Sequence, residues 1–346
     1  MISTAVERPV SLPDYIKRAS EGHDLSADDA YAAIDAIMSG SATASQIAAL
    51  LVALALKGES IEEIAGAAAA MRAHARAVDK PSGLVMDVCG TGGDGAGTFN
   101  ISTATAFVVA GAGVRVLKHG NRAMSSKCGS ADVLEALGVR IDLAPERTAH
   151  ILDEERIAFA FAQVHHPAMR HVAPVRREIG IRTLFNVLGP LTNPAGAQRQ
   201  VVGVARRGSQ ATIAAVFGRL GSERVAVVHG SDGLDEMTLA GPTHVAELND
   251  GAVHEYDLAP EDAGLERRDT ASLRGGDAAT NASQIRSVLS GTAGALRDVV
   301  VLNAALALHV AEMAPTLHGA RAIAELSIDS GAARDRLEAL VRASNA

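Results

Sequence analysis

No tryptophan occurs in the 346 residues, and aromatic side chains of every kind make up 3% of the chain. Three Tyr and six Phe are the whole supply of rings. A chain so poor in rings cannot read single-stranded nucleic acid through a broad stacking platform. It cannot build an aromatic cage around a cation either. A flat ligand must be met by aliphatic side chains, Met, His and backbone. Cysteine is also scarce: Cys89 and Cys128 are the only two, too few for a disulfide framework and not spaced as a Cys-x-x-Cys metal pair. No uninterrupted run of about 18 apolar residues suggests a membrane span. The opening MISTAVERPVSLPDYIKRASEG holds no apolar stretch of the secretory kind. The Asn-x-Ser matches at Asn100 and Asn281 therefore read as chance, and the expectation is a soluble cytoplasmic protein. Positive charge is in deficit too. Lys and Arg number 32 against 40 Asp and Glu, a net charge of −8. Such a chain is a poor coat for nucleic-acid phosphates, although a local anion site is compatible with it.

What is present is core material. Hydrophobic residues reach 48% and charged residues 21%, in a chain long enough for two domains. Residues 12–78 read as helices. Apolar residues recur at helical spacing in YAAIDAIMSG, and ASQIAALLVALALKG is nearly all helix-forming. Ser26 with Asp29 resembles a capping arrangement, and Gly40 and Gly58 look like helix ends. From residue 84 the texture becomes strand, polar loop, helix. LVMDVCG (84–90) and VRVLKHG (114–120) read as strands, each followed by a loop and a helix. Residues 145–190 read as mainly helical and irregular. Strands resume at 200–205 and 224–230 around a helix at 209–220. THVAEL and VHEYDL flank the hairpin signal Asn249-Asp250-Gly251. The chain ends in helices, over 282–314 and again from 320. The expected fold class is therefore α/β: a small N-terminal α-helical domain, then a larger α/β domain with a mainly parallel central sheet.

Three strand ends carry polar chemistry. The first is Gly90-Thr91-Gly92-Gly93-Asp94-Gly95, formally a G-x-G-x-x-G. A dinucleotide fold is disfavoured because Ala96–Asn100 separate the glycines from the helix. The next strand also ends in Lys118-His119 rather than in an acid. A P-loop fails because Thr98 stands where Lys is required. The loop can still cradle an anion with backbone N–H groups and the helix start at Ile101, aided by Ser102 and Thr103. The second loop holds Lys118, Arg122, Lys127, Ser125, Ser126 and Ser130, cations and hydroxyls gathered in an acidic chain. Two such loops on consecutive strand ends suit a doubly phosphorylated ligand. The third strand end offers adjacent acids, Asp235 and Glu236, for the Mg²⁺ that accompanies such ligands. His119, His165, His166 and His171 show no metal spacing and read as core or ring-contact residues. Cys89, beside the first loop, reads as a buried structural thiol.

The runs GTGGD (90–94), NIST (100–103), KHGNRAMSSKCGSADVLEALG (118–138), HHPAMRHVAPVRREIGIRTLFNVLGPLTNP (165–194) and GLDEMTLAG (233–241) resemble the anthranilate phosphoribosyltransferase family, in order across nearly the whole chain. The resemblance implies a helical domain over 1–80 with about 170–192, and an α/β domain over 81–169 and 193–346. It also implies a homodimer joined through the helical domains, and Mg²⁺ at two ions per subunit. Phosphoribosyl pyrophosphate would be bound by Gly90, Gly93, Asp94 and Thr98, with Asn100, Ile101, Ser102 and Thr103. The second loop would complete that site with Lys118, His119, Gly120, Asn121, Arg122, Ala123, Met124, Ser125 and Ser126, and with Ser130. Anthranilate would meet Gly90, His119, Asn121, Met169, Arg176 and Pro190, with Gly189 a further surface for its ring. The metal would be held by Ser102, Asp235 and Glu236. Lys118 and Arg176 are the expected catalytic pair, for leaving-group stabilisation and for carboxylate positioning. Two departures stand out: Ala123-Met124 stands where many relatives have a Ser and a small aliphatic residue, and Cys128 where a Ser is common.

Two alternatives share the architecture. A pyrimidine nucleoside phosphorylase is disfavoured because Arg176 and the KHGN run match the anthranilate enzyme. A non-enzymatic nucleic-acid-binding relative would need a basic groove, against the net charge of −8. Neither nucleic acid nor membrane is an expected partner.

Overall fold

The computed structural model describes residues 11–79, 82–123 and 127–346. Two compact units emerge. One runs to Ala75 and takes in His166–Leu188; the other comprises Arg76–His165 and Gly189–Ala346.

The first unit is helical, with helices at Leu12–Ser20, Ala27–Met38, Ala44–Lys57 and Ile61–Ala73. Their starts are written in the local sequence. Thr43 with Gln46, and Ser60 with Glu63, form reciprocal capping boxes. At Ser26 the Oγ accepts the Asp29 amide, and the Asp29 carboxylate bonds back to Ser26 and also to Arg18, the latter at 2.7 Å. Glu63 is fully buried, yet it accepts from Leu25 N and from Lys57 Nζ at 2.9 Å each, so its charge is paired. Short helical turns at Pro167–His171, Ala173–Ile179 and Leu184–Asn186 complete the unit.

The second unit is a seven-stranded sheet: β1 (Val85–Gly90), β2 (Arg115–Gly120), β3 (Ile157–Phe161), β4 (Arg199–Gly203), β5 (Arg224–Gly230), β6 (Thr243–Asn249) and β7 (Ala252–Leu258). Their order is β3-β2-β1-β4-β5-β6-β7. The first five are parallel; β6 and β7 run antiparallel at one edge. Asp250 and Gly251, both left-handed, make the β6–β7 turn. The parallel strands are buried on both sides, which is why they read as continuous apolar runs rather than alternations. Helices Ile101–Gly111 and Ala295–Val310, almost wholly buried, pack against each other in this unit's core.

Two expectations are corrected. The stretch taken as helical and irregular contains β3. Its five residues, Ile-Ala-Phe-Ala-Phe, are all buried, and a run this short has no periodicity to separate strand from helix. The C-terminal helix taken to span 282–314 begins at Ala278 and is broken between Leu289 and Ala295, where Gly291 adopts a left-handed φ of 86°.

Candidate active site

The strand order reverses between β1 and β4. Chain progress runs outward through β2 and β3 on one side and through β5 on the other, which opens a crevice at the carboxyl ends of β1 and β4. Gly90 and Gly203 end these two strands in register. The segment after β5 crosses directly over them. A Cβ on Gly203 would stand 1.5 Å from the Asp235 carbonyl oxygen, and one on Gly90 would stand 2.7 Å from Asp235 Oδ2. At Gly203 only glycine lets the acidic segment lie there, and at Gly90 a side chain would push on the Asp235 carboxylate.

The acids are anchored by the first loop. Asp235 Oδ2 accepts the Gly92 amide at 2.8 Å, and Glu236 Oε1 accepts the Ser102 amide at 3.1 Å. Gly92 and Gly93 have positive φ, and these turns carry the loop back over the crevice. Burial and then the nearby Asp94 push the Asp235 pKa up; burial and then Asp235 push that of Glu236 up. Two half-buried carboxylates with a third beside them call for a cation, and their hard oxygens suit Mg²⁺. Among the described residues no three His, Cys, Asp or Glu side chains form a ready-made metal cage. Mg²⁺ commonly keeps several waters and takes substrate phosphates, so Asp235 and Glu236 with Ser102 fit that mode of binding.

Lys118, near the end of β2, is 4% exposed and donates from Nζ to the Val88 carbonyl at 2.7 Å and to Ser102 Oγ at 3.2 Å. Under it lies Asp87, fully buried. Burial raises its pKa, and the Lys118 ammonium opposes that rise. Asp87 accepts from the His119 amide and from Asn193 Nδ2. His119 is buried, with Nδ1 3.1 Å from the Gly189 carbonyl; Pro190, next to it, is also buried.

The second loop is clasped shut at its base. Asp132 Oδ2 accepts the amides of Ala123 and Gly129 at 2.9 and 2.8 Å. Gly120 lies so close to Ser130 that a Cβ there would be 2.1 Å from the serine Oγ, which donates to the Asn121 carbonyl. Arg122 is turned away from any free role. It forms a bidentate pair with Glu135 at 2.5 and 2.9 Å, reaches Asp132 at 3.0 Å, and lies 5.6 Å over the Phe161 ring. Met124, Ser125 and Ser126 lie outside the described residues.

The remaining expected residues divide by burial. Asn121 is exposed at the loop start, and Gly93 is exposed; Asp94 and Thr98 are half-buried. Thr98 pairs with Arg274 in an isolated bridge. Ile101 and Thr103 are buried, and the Thr103 hydroxyl has no partner among the described residues. Both cysteines are buried free thiols, and burial pushes Cys89 well above the usual thiol range. In the helical unit, Met169 is half-buried. The Arg176 side chain has no hydrogen-bond or ion-pair partner among the described residues; its guanidinium lies 5.7 Å over the Phe185 ring.

Residues 82–334 match a family model described as a glycosyl transferase family α/β domain, and 13–75 match the helical bundle domain of the same family. A curated relative, the anthranilate phosphoribosyltransferase of Moorella thermoacetica, is 57% identical over 326 residues, covering 94% of this chain and 96% of that protein. This chain belongs to the anthranilate phosphoribosyltransferase family. Solved members superpose closely. The enzyme from Thermus thermophilus aligns with a TM-score of 0.91 at 45% identity, covering 96% of this chain and 100% of that one. The Saccharomyces cerevisiae enzyme in complex with PRPP and Mg aligns with a TM-score of 0.86 at 28% identity, covering 98% and 99%.

Within this anthranilate phosphoribosyltransferase frame, four residues that sequence reasoning passed over hold the site. Asp87 and Asn193 brace the end of β2, and Asn193 also donates to the Leu117 carbonyl at 2.9 Å. Asp132 and Glu135 hold the second loop and its arginine. A charge in the middle of an apolar strand signals Asp87. An acid three positions after Gly129 signals Asp132 as a helix-start cap.

Proposed function

We propose that this chain transfers the 5-phosphoribosyl group of phosphoribosyl pyrophosphate to anthranilate, giving N-(5′-phosphoribosyl)anthranilate and pyrophosphate in tryptophan biosynthesis. The observation that carries the proposal is the acidic pair Asp235 and Glu236, held by the amides of Gly92 and Ser102 next to the buried Lys118. A cation-demanding acid pair beside a cationic, amide-rich loop suits a metal-bound diphosphate.

In the reaction, the bond from ribose C1 to the pyrophosphate oxygen breaks and its electron pair leaves with pyrophosphate. The anthranilate nitrogen donates its lone pair to C1 and then loses a proton. Mg²⁺ bound at Ser102, Asp235 and Glu236, in our proposal two ions per subunit, would neutralise charge on the leaving group. Lys118 and the loop amides of Gly90–Thr98 stabilise the same charge from the protein side. Asn100, Asn121, Ser130 and the loop between them hold the ribose and phosphates. The amine is neutral at pH 7, so no strong base is needed. Arg176 binds the anthranilate carboxylate through its planar fork, and His119, Met169 and Pro190 offer the ring aliphatic and edge contacts in place of stacking.

We also propose a homodimer joined through the helical unit. Support comes from a groove along helix Ala44–Lys57, lined by Ala48, Ala49, Val52, Ala53 and Leu56, with Leu56 83% exposed. No helix among the described residues is long and apolar enough to cross a membrane. Free thiols suit the reducing cytoplasm in which we place the chain.

The test is anthranilate fluorescence followed with donor and Mg²⁺. Loss of signal that requires both supports the reading. No consumption, with phosphorolysis of thymidine or uridine instead, replaces it with the phosphorylase alternative.

A further inference from the structure

Residues 273–280 take part in no motif that the sequence singled out, yet they are tied directly to the first loop. Phe99 N donates to the Leu273 carbonyl at 3.0 Å, and Gly275 N donates to the Gly97 carbonyl at 2.9 Å. Directly after this segment, in the first turn of helix Ala278–Leu289, sits Asn281, 1% exposed. Its Oδ1 accepts the Gly276 amide at 2.7 Å, and its Nδ2 donates to Asn100 Oδ1 at 2.9 Å. Asn100 Nδ2 in turn donates to the Cys128 carbonyl at 3.2 Å.

The direction of this relay is fixed at both ends by backbone. The Gly276 N–H can only donate, so the facing atom of Asn281 is its oxygen. That leaves the Asn281 NH₂ aimed at Asn100, which must answer with its own oxygen. The Asn100 NH₂ then meets the Cys128 carbonyl, which can only accept. Asn100 immediately precedes helix Ile101–Gly111 but does not cap it with its side chain. Its amide is committed to the relay instead. The relay therefore joins three segments: 273–276, the end of the first loop, and the second loop at Cys128.

We propose that Asn281 is a positioning residue for the phosphoribosyl donor site. It acts through Asn100 to hold the two phosphate-binding loops in mutual register. This rests on the transferase reading above. It also gives a physical use to a residue whose Asn-x-Ser context suggested only a chance glycosylation match.

The experiment uses the full chain with Mg²⁺ and measures donor affinity by calorimetry alongside KM for both substrates. Asn281→Ala should raise the donor Kd and KM roughly tenfold, as expected for a lost buried hydrogen bond, while KM for anthranilate stays within about twofold. Asn281→Asp keeps the volume and the Gly276 bond but removes the NH₂ that Asn100 needs, so it should impair donor binding too. In a double-mutant cycle with Asn100→Ala, the two losses should be strongly non-additive. Unchanged donor affinity in Asn281→Ala, an equal rise in both KM values, or an additive cycle would each overturn the proposal. If the Asn281 variants do not fold, Asn100→Asp preserves the bond from Asn281 and replaces the one to the Cys128 carbonyl with oxygen–oxygen repulsion; normal donor affinity there overturns the relay. A wild-type chain that binds donor without consuming anthranilate rejects the transferase reading while the relay is still judged from binding. One that binds no donor rejects both.

Discussion

The Arg176 guanidinium lies 5.7 Å above the Phe185 ring and has no carboxylate partner among the described residues. Burial lowers its pKa, so the structure holds a cation partly withdrawn from water and uncompensated. Such a group gains most when an anionic ligand arrives. Arg176→Ala should raise KM for anthranilate by about tenfold or more, ~1.4 kcal/mol per factor of ten, with donor KM little changed. Arg176→Lys should rescue poorly, because a point charge lacks the planar fork. Steady-state kinetics with each substrate varied checks this; equal effects on both constants remove the assignment.

Asp235 and Glu236 give a stability prediction with a definite sign. Their pKa values are raised in the fold, so the native state binds more protons than the unfolded chain. Metal-free protein should therefore lose stability as pH rises above the ordinary carboxylate range. Asp235→Asn with Glu236→Gln keeps an oxygen for each of the Gly92 and Ser102 amides and removes the repulsion. It should stabilise the metal-free protein at pH 8 by on the order of 2 kcal/mol. Mg²⁺ should raise the melting temperature of the wild type and leave the variant unmoved. Calorimetry with and without the ion reads both effects.

Gly203→Ala places a methyl where the Asp235 carbonyl already stands. The acidic segment would have to lift from the strand ends, at a cost of about 2–3 kcal/mol. Mg²⁺-dependent turnover should fall far more than secondary structure does. Circular dichroism and activity at several Mg²⁺ concentrations distinguish displacement of the acidic pair from general unfolding.

Arg122 is held by Glu135 and Asp132. If it serves donor phosphate, it must leave a bidentate partner to do so. Glu135→Gln should lower KM for the donor several-fold, and Arg122→Ala should raise it. No change in either variant would make Arg122 a scaffold residue of the second loop.

Local features carried much of the fold. The capping at Ser26, the Asp250-Gly251 turn and the strands ending in Gly90, Gly120 and Gly230 each depend on neighbours within a few residues, so they were legible. β3 was not, because five apolar residues in a row suit strand and helix alike. Arg122 looked like a phosphate ligand from its loop, whereas its ion pairs lie 10 and 13 residues ahead on a helix. Asn281 was invisible as a site residue because its partner Asn100 lies 181 positions away.

The chemistry on offer is written in the order of residues: glycine loops that can take phosphate, a lysine at a strand end and a pair of adjacent acids. Those properties belong to residue types and short spacings. Which groups meet is settled only when the chain is packed. Glu236 reaches the Ser102 amide across 134 positions because the sheet sets β5 next to β4 and β4 next to β1. Gly203 must be glycine because the Asp235 backbone crosses the strand end there. Contacts of that length are chosen by strand order and close packing, which no local pattern encodes.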